Sequence, residues 1–127
     1  MPPGKSATLT EAELRLMDVL WQKGRATVQD VLTALPEKRP LAYNSVLTTI
    51  RILEKKGYVA HTKDGRAHVY MPIVERQDAT RSEVRHLISR FFKDSHELLV
   101  LNILEDKSID EEELTRLRDL SGKGERS

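Results

Sequence analysis

The chain has 127 residues with a net charge of +1, is 39% hydrophobic and 32% charged, and contains no cysteine. This length suits one ordinary domain or two small ones. No apolar run approaches the roughly 18 residues of a membrane span, and the N-terminal segment lacks the apolar core of a secretory signal. The absence of cysteine excludes disulfides, thiolate metal sites and a cysteine nucleophile. We therefore expect a cytoplasmic protein that is not inserted in a membrane.

Charge is distributed unevenly along the chain. Residues 1–74 contain 11 basic and 7 acidic residues, whereas residues 75–127 contain 10 and 13. The positive excess lies within residues 37–66, which hold 7 basic and 3 acidic residues. Such asymmetry is typical of a nucleic-acid-binding part beside a part with another task, although ordinary scatter of surface charge also produces it.

Three helices are predicted in the first part. Thr10 opens the first helix with a capping box, and Thr27 opens the second. The third helix runs from about Tyr43 to Lys56 and ends at Gly57. Apolar spacing predicts that the first helix has an inner face formed by Leu14, Met17, Leu20 and Trp21.

A β-hairpin is predicted next. Two β-rich runs, 58–62 and 67–71, flank Asp64-Gly65, a dipeptide that favours the positive φ angles of a type I′ turn. Three helices followed by a hairpin with a basic tip are the order of a winged helix-turn-helix. We therefore predict a mainly α fold with a small β-hairpin, in which a winged helix-turn-helix occupies residues 1–74.

Residues 75–127 are predicted to form a helical dimerisation region with a polar tail. Thr80 and Glu83 repeat the capping-box pattern, Ser95 opens a segment that is apolar on almost all sides, and Asp110 caps the last helix. A unit this small rarely covers so many apolar side chains alone. A second copy of the chain would cover them; packing against residues 1–74 in a monomer is the alternative. The predicted dimer contacts are Val84, Leu87, Ile88, Phe91, Leu98, Leu101, Leu104 and Leu117.

The outward face of the third helix is the candidate binding site. At 100° per residue, polar side chains collect opposite the apolar face formed by Val46, Ile50 and Leu53. Hydroxyl and amide side chains are poor helix formers that suit phosphate oxygens and base edges, and an arginine can read guanine. The predicted DNA contacts, including the hairpin tip, are Thr27, Tyr43, Asn44, Ser45, Thr48, Thr49, Arg51, Lys55, Lys63 and Arg66.

No motif of a catalytic or phosphate-binding site occurs, so we expect neither an enzyme nor a cofactor. His61 and His68 fall on paired strands, but no third ligand accompanies them, and no metal site is expected. The alternative to a DNA-binding protein is a winged-helix adaptor that binds only other proteins. The salt dependence of binding distinguishes these two hypotheses, because phosphate neutralisation makes DNA binding strongly salt-dependent.

The chain resembles the penicillinase-repressor family in LTEAELRLMDVLW, TVQDVL, SVLTTIRILEKKGYV, DGRAHVY and LLVLNILEDKSIDEEEL, which together span residues 9–120. The resemblance implies a homodimeric transcriptional repressor that binds an inverted-repeat operator. It also implies inactivation by a membrane sensor with a zinc metalloprotease domain. The segment aligned with LVLN places the candidate cleavage site at Asn102–Ile103, with Ile103 where the best-known members have an aromatic residue. The alternative role for Asn102 is to fix the register of a dimer.

Overall fold

The computed structural model describes residues 8–36 and 41–125. Within these ranges the elements are α1 (Glu11–Lys23), α2 (Val28–Ala34), α3 (Tyr43–Lys56), β1 (Val59–Asp64), β2 (Ala67–Pro72), α4 (Arg76–Phe91), α5 (His96–Leu104) and α6 (Glu111–Glu125). The described residues up to Val84 form one compact unit, and those from Arg85 onward form a second. No helix in these described ranges is both long enough and apolar enough to cross a membrane.

The ends of the first three helices agree with the sequence prediction. The Thr10 hydroxyl accepts a hydrogen bond from the Glu13 backbone N–H, while the Glu13 carboxylate accepts one from the Thr10 N–H. Thr27 and Asp30 form the same reciprocal pair at the start of α2. Gly57 ends α3 with a φ of 89°, a left-handed conformation that glycine adopts without steric cost.

One hydrophobic core holds the first unit together. Its fully buried side chains are Leu16, Met17, Leu20, Val31, Val46, Ile50, Leu53, Tyr58, Val59 and Tyr70. The prediction that Leu14 belongs to the inner face of α1 is wrong, because Leu14 is exposed and Leu16 is buried instead. The buried positions of α1 include Glu13, so the inner face contains a charged residue that hydrophobic spacing does not assign to it.

Glu13 is only 4% exposed, and its carboxylate has two partners. Besides the Thr10 backbone N–H at 2.9 Å, its Oε1 accepts a hydrogen bond from Lys56 Nζ at 2.7 Å. Lys56 Nζ also donates to the Thr8 carbonyl at 3.1 Å. A buried carboxylate needs such partners to offset its lost hydration. The pair therefore fastens the start of α1 to the end of α3.

The hairpin is antiparallel, with Asp64 opposite Ala67 next to the turn. The two-residue loop is therefore Gly65-Arg66, and the predicted type I′ turn centred on Asp64-Gly65 is wrong. Gly65 has a φ of 64°, whereas Arg66 has no positive φ. Positive φ at the first central residue alone is the type II′ pattern, which requires glycine only at that position.

Ala26, between α1 and α2, joins the hairpin as a third strand of one residue. Its backbone N–H donates to the Tyr70 carbonyl at 2.9 Å, and its carbonyl accepts from the Tyr70 N–H at 2.8 Å. Three helices closed by a small sheet in this order confirm the predicted winged helix-turn-helix. We call the hairpin β1–β2 the wing.

Helix α4 begins earlier than the capping pattern at Thr80 predicts. Thr80 lies inside the helix, where its hydroxyl donates to the Arg76 carbonyl at 2.8 Å. The Glu83 carboxylate accepts a hydrogen bond from the Leu9 N–H instead of capping the helix. Ala79 is buried in the core of the first unit. The predicted capping box is therefore wrong, because the Thr80 hydroxyl bonds within the helix and the Glu83 carboxylate bonds to Leu9.

The second unit is helical. Ser95 caps α5 by accepting from the Leu98 N–H at 3.2 Å, and Asp110 accepts from the Glu113 N–H at 2.8 Å before α6. Both caps are as predicted. Helix α6 continues to Glu125, so most of the segment predicted as a polar tail is helical.

Candidate nucleic-acid interface

The outward face of α3 is exposed. Its inner side chains Val46, Ile50 and Leu53 are buried in the core. The exposed side chains on the other side are Asn44, Ser45, Thr48, Arg51, Ile52 and Lys55. Thr49 is half-buried, and its hydroxyl donates to the Ser45 carbonyl at 2.8 Å within the helix. We use the term recognition face for the six exposed side chains named above together with Tyr43, the first residue of α3.

The start of α3 leaves backbone donors available. Ala42 makes no side-chain cap hydrogen bond there. The N–H groups of the first helical turn have no partner within their helix and carry the positive end of its dipole. Tyr43, at the first position, is 47% exposed. The backbone N–H groups at this end of the recognition face can therefore donate hydrogen bonds to a phosphate oxygen.

A groove separates the start of the helix-turn-helix from the wing. It has a volume of about 350 Å³ and is lined by Thr27, Val28, Gln29, Tyr43, Leu47, Arg66, Ala67, His68 and Tyr70. The groove thus brings together three predicted contacts from different parts of the fold, which are Thr27, Tyr43 and Arg66. Thr27 already serves as the N-cap of α2, and its hydroxyl oxygen accepts a hydrogen bond from the Asp30 backbone N–H.

The hydrogen bonds of this cap also affect Asp30. The Thr27 backbone N–H, and next its hydroxyl, hold the pKa of the Asp30 carboxyl below its ordinary value. A carboxylate that accepts hydrogen bonds in its charged form is expected to behave this way. Asp30 therefore remains charged at the start of α2, where a negative charge favours the helix.

Four predicted cations are exposed around the recognition face and the wing: Arg51, Lys55, Lys63 and Arg66. None of them forms an ion pair with another residue in the described part of the chain. Cationic side chains that form no ion pair are free to neutralise phosphates, which are the main targets of lysine and arginine in nucleic-acid complexes.

A histidine cluster lies where the wing meets α3. The rings of His61 and His68 are stacked, with centroids 4.5 Å apart and an interplanar angle of 11°. His61 Nδ1 lies 2.5 Å from Glu54 Oε2, and the Tyr70 ring is 5.4 Å from that of His61. Burial, and next the charge of Glu54, raise the pKa of Tyr70, whereas Arg51 opposes this rise. The Tyr70 hydroxyl therefore stays protonated.

Sequence analysis placed the two histidines on paired strands but missed Glu54. The strand register would have placed His61 and His68 diagonally on one side of the wing, because His61 pairs with Tyr70 and Lys63 pairs with His68. Nothing in the sequence indicated that α3 would bring a carboxylate to this cluster. Within residues 8–36 and 41–125, no group of three or more histidines or carboxylates is arranged to hold a metal ion.

The predicted dimer contacts are largely uncovered in the single chain. Seven of them are 39% to 65% exposed, namely Val84, Leu87, Phe91, Leu98, Leu101, Leu104 and Leu117. Ile88 differs, since it is 3% exposed and already buried within its own chain. Asn102 and Ile103 both lie on α5 and are exposed.

The winged helix, with a polar recognition face beside a basic wing, places this chain in the helix-turn-helix class. A family model described as penicillinase repressor matches residues 9–122. The chain therefore belongs to the penicillinase repressor family, as its sequence motifs predicted.

Relatives with known names align over much of the chain. The methicillin resistance regulatory protein MecI of Staphylococcus aureus is 25% identical over 119 residues, covering 94% of this chain and 97% of MecI. The penicillinase repressor of Bacillus licheniformis is 28% identical over 113 residues, covering 89% and 88%. The transcriptional regulator BlaI of Mycobacterium tuberculosis is 39% identical over 75 residues, covering 58% and 54%.

Solved structures show the same fold. The solution structure of the DNA binding domain of the repressor BlaI matches with a TM-score of 0.51 and 30% identity, covering 56% of this chain and 87% of that domain. The crystal structure of a possible transcriptional regulator for arsenical resistance matches with a TM-score of 0.53 and 24% identity, covering 76% and 91%. The second similarity concerns the fold alone.

Proposed function

We propose that this protein is a cytoplasmic transcriptional repressor that binds an inverted-repeat DNA operator as a homodimer. The observation that carries the proposal is the exposed recognition face, with its hydroxyl and amide side chains and four exposed cations that form no ion pair in the described part of the chain. The similarity to the DNA binding domain of BlaI supports it, as do relatives named as repressors.

In this proposal α3 enters the major groove of DNA. Arg51 is suited to the two acceptors of guanine, and Asn44 to the donor and acceptor of adenine. Ser45, Thr48 and Lys55 contact phosphates beside them, while the wing reaches neighbouring phosphates through Lys63 and Arg66. The apolar side chain of Ile52 is suited to contact a thymine methyl group.

Dimerisation would use the exposed apolar side chains of α4, α5 and α6. A contiguous uncovered apolar surface usually marks an interaction site, and α5 has no buried residue in the single chain. A second copy offers the same surface, as a two-fold interface requires. Two winged helices held together bind two half-sites, and the second contact becomes intramolecular.

Selection from a pool of random-sequence DNA duplexes tests this function. The full chain should enrich duplexes that contain an inverted repeat, because two identical recognition faces read the two halves in opposite directions. Enrichment of no sequence at any salt concentration would contradict DNA recognition and favour a winged-helix adaptor that binds other proteins.

Replacing Arg51 by alanine should weaken binding to the selected duplex by about 1–3 kcal/mol per half-site, because a bidentate contact to guanine is lost. Gel-shift titrations of the variant and the wild type measure this difference. Arg81→Ala removes the same charge from an exposed position on α4 and serves as the control. Equal losses in the two variants would show that Arg51 contributes charge without reading a base.

Inactivation by cleavage between Asn102 and Ile103 completes the proposal and rests on the family resemblance. The protease would belong to a membrane sensor with a zinc metalloprotease domain. The site lies in α5, a helix of nine residues with no buried side chain in its own chain. Local unfolding is accessible to such a segment, as a protease cleft requires. Cutting there would separate the apolar side chains of α4 from those of α6.

Fragment masses test the cleavage site. The protein is expressed together with the metalloprotease sensor of its own source, the inducer is added, and intact masses are measured before and after derepression. We expect two fragments that meet between Asn102 and Ile103. An intact chain under full derepression, or a cut elsewhere, would contradict this part of the proposal and favour the register role of Asn102.

A further inference from the structure

We infer that DNA binding by this winged helix is coupled to the uptake of a proton by the stacked imidazoles of His61 and His68. The inference rests on the proposed function, because it requires DNA at the recognition face. It adds a regulation of the same site, in which DNA affinity depends on pH through two residues of the wing.

The first support is the geometry of the stack. Glu54 lies 2.5 Å from His61 Nδ1, so that nitrogen carries a hydrogen directed at the carboxylate whether the ring is neutral or charged. The proton that is gained or lost therefore resides on His61 Nε2 or on the His68 ring. The two rings lie 4.5 Å apart, so charging one affects the other directly.

The second support is the set of charges around the stack. Lys63 stands opposite His68 in the strand ladder, and Arg66 follows in the turn. From α3, Arg51, Glu54 and Tyr43 interact electrostatically with Tyr70, the cross-strand partner of His61. Thr27, which caps α2, and Val28 and Gln29 on α2 line the groove and are uncharged.

Glu54 lies against His61, and Lys63 lies opposite His68. Glu54 would balance one positive imidazole, but a second charged ring would lie 4.5 Å from the first ring and opposite Lys63. Like charges at this distance disfavour one another. A negative charge placed beside the His68 ring would therefore favour the gain of a proton by the stack.

A DNA phosphate would supply such a negative charge. His68 and Arg66 line the groove beside Thr27 and Tyr43. A backbone phosphate in the groove would place negative charge next to the His68 ring and favour its protonated form as a charge-assisted donor. Because the complex then holds more protons than the free components, DNA affinity is full at low pH. Affinity is lost as pH rises through the range in which the imidazole loses its proton.

The test uses the full chain and the duplex recovered in the selection experiment. At constant ionic strength, we expect Kd to be roughly tenfold larger at about pH 8 than at about pH 6. Calorimetric titrations in two buffers with different heats of ionisation should show the uptake of up to about one proton per winged helix near pH 7. His68→Gln should abolish most of both effects and leave a pH-independent affinity.

His86→Gln is the matched control, because His86 is an exposed histidine on α4, outside the wing. This variant should keep the pH dependence and the proton uptake of the wild type. Equal wild-type affinity at the two pH values, or a His68→Gln variant that keeps the wild-type slope, would overturn the coupling while DNA binding itself stands. A chain that binds no duplex at either pH would overturn the proposed function and the coupling together.

Discussion

Replacing Leu101 by glutamate should convert the proposed dimer into a monomer and weaken operator binding by about 100-fold or more. Leu101 is 45% exposed on α5 and is surrounded along that helix by other exposed apolar side chains. A carboxylate placed in an apolar interface loses its hydration without gaining a partner. Without the dimer, each half-site must be bound separately, and the gain from intramolecular binding disappears.

Sedimentation and gel-shift titration of the same samples measure both effects of this substitution. Gln77→Glu adds the same charge at an exposed position of α4 and should leave assembly and affinity close to wild type. A Leu101→Glu protein that remains dimeric would remove α5 from the interface. A wild-type chain that is monomeric at micromolar concentration would remove the basis of the homodimer.

Truncating Ile50 to alanine should lower the free energy of unfolding by about 2–5 kcal/mol. Ile50 is fully buried, on the inner side of α3 between Val46 and Leu53. Its loss leaves a cavity beneath the recognition face, in a unit small enough that this amount is a large share of its stability. Denaturant titration measures the change.

Ile52→Ala is the matched control, since Ile52 lies two positions away on the same helix and is 41% exposed. It removes the same atoms without opening a cavity in the core, so its cost should stay below about 1 kcal/mol. It should nevertheless alter DNA binding if Ile52 contacts a thymine methyl group. Similar destabilisation by both substitutions would contradict the orientation of α3.

The sequence predicted the parts of the fold that depend on neighbouring residues. The capping boxes at Thr10 and Thr27 and the glycine that ends α3 act within one helical turn, and all three are present as predicted. The exposed side of α3 followed from helical periodicity, because three buried side chains fix which way the helix faces.

Apart from the turn at Gly65-Arg66, the main failures involve contacts between residues that are distant in sequence. Leu14 was assigned to the core because spacing alone does not reveal that Lys56 allows Glu13 to be buried. The capping box predicted at Thr80 is absent because the Glu83 carboxylate accepts a hydrogen bond from the Leu9 N–H, far away in sequence. Glu54 was missed in the histidine cluster since only the packed structure brings α3 to the wing.

Salt dependence of binding to the selected duplex is the most direct test of DNA recognition. Four exposed cations in each copy of the proposed dimer are available to neutralise phosphates, namely Arg51, Lys55, Lys63 and Arg66. Contact with about 6–10 phosphates predicts that affinity falls by about 10³–10⁵-fold between about 50 and 200 mM salt, with log Kd linear in log salt concentration. An affinity that hardly changes over this range would contradict a DNA-binding repressor.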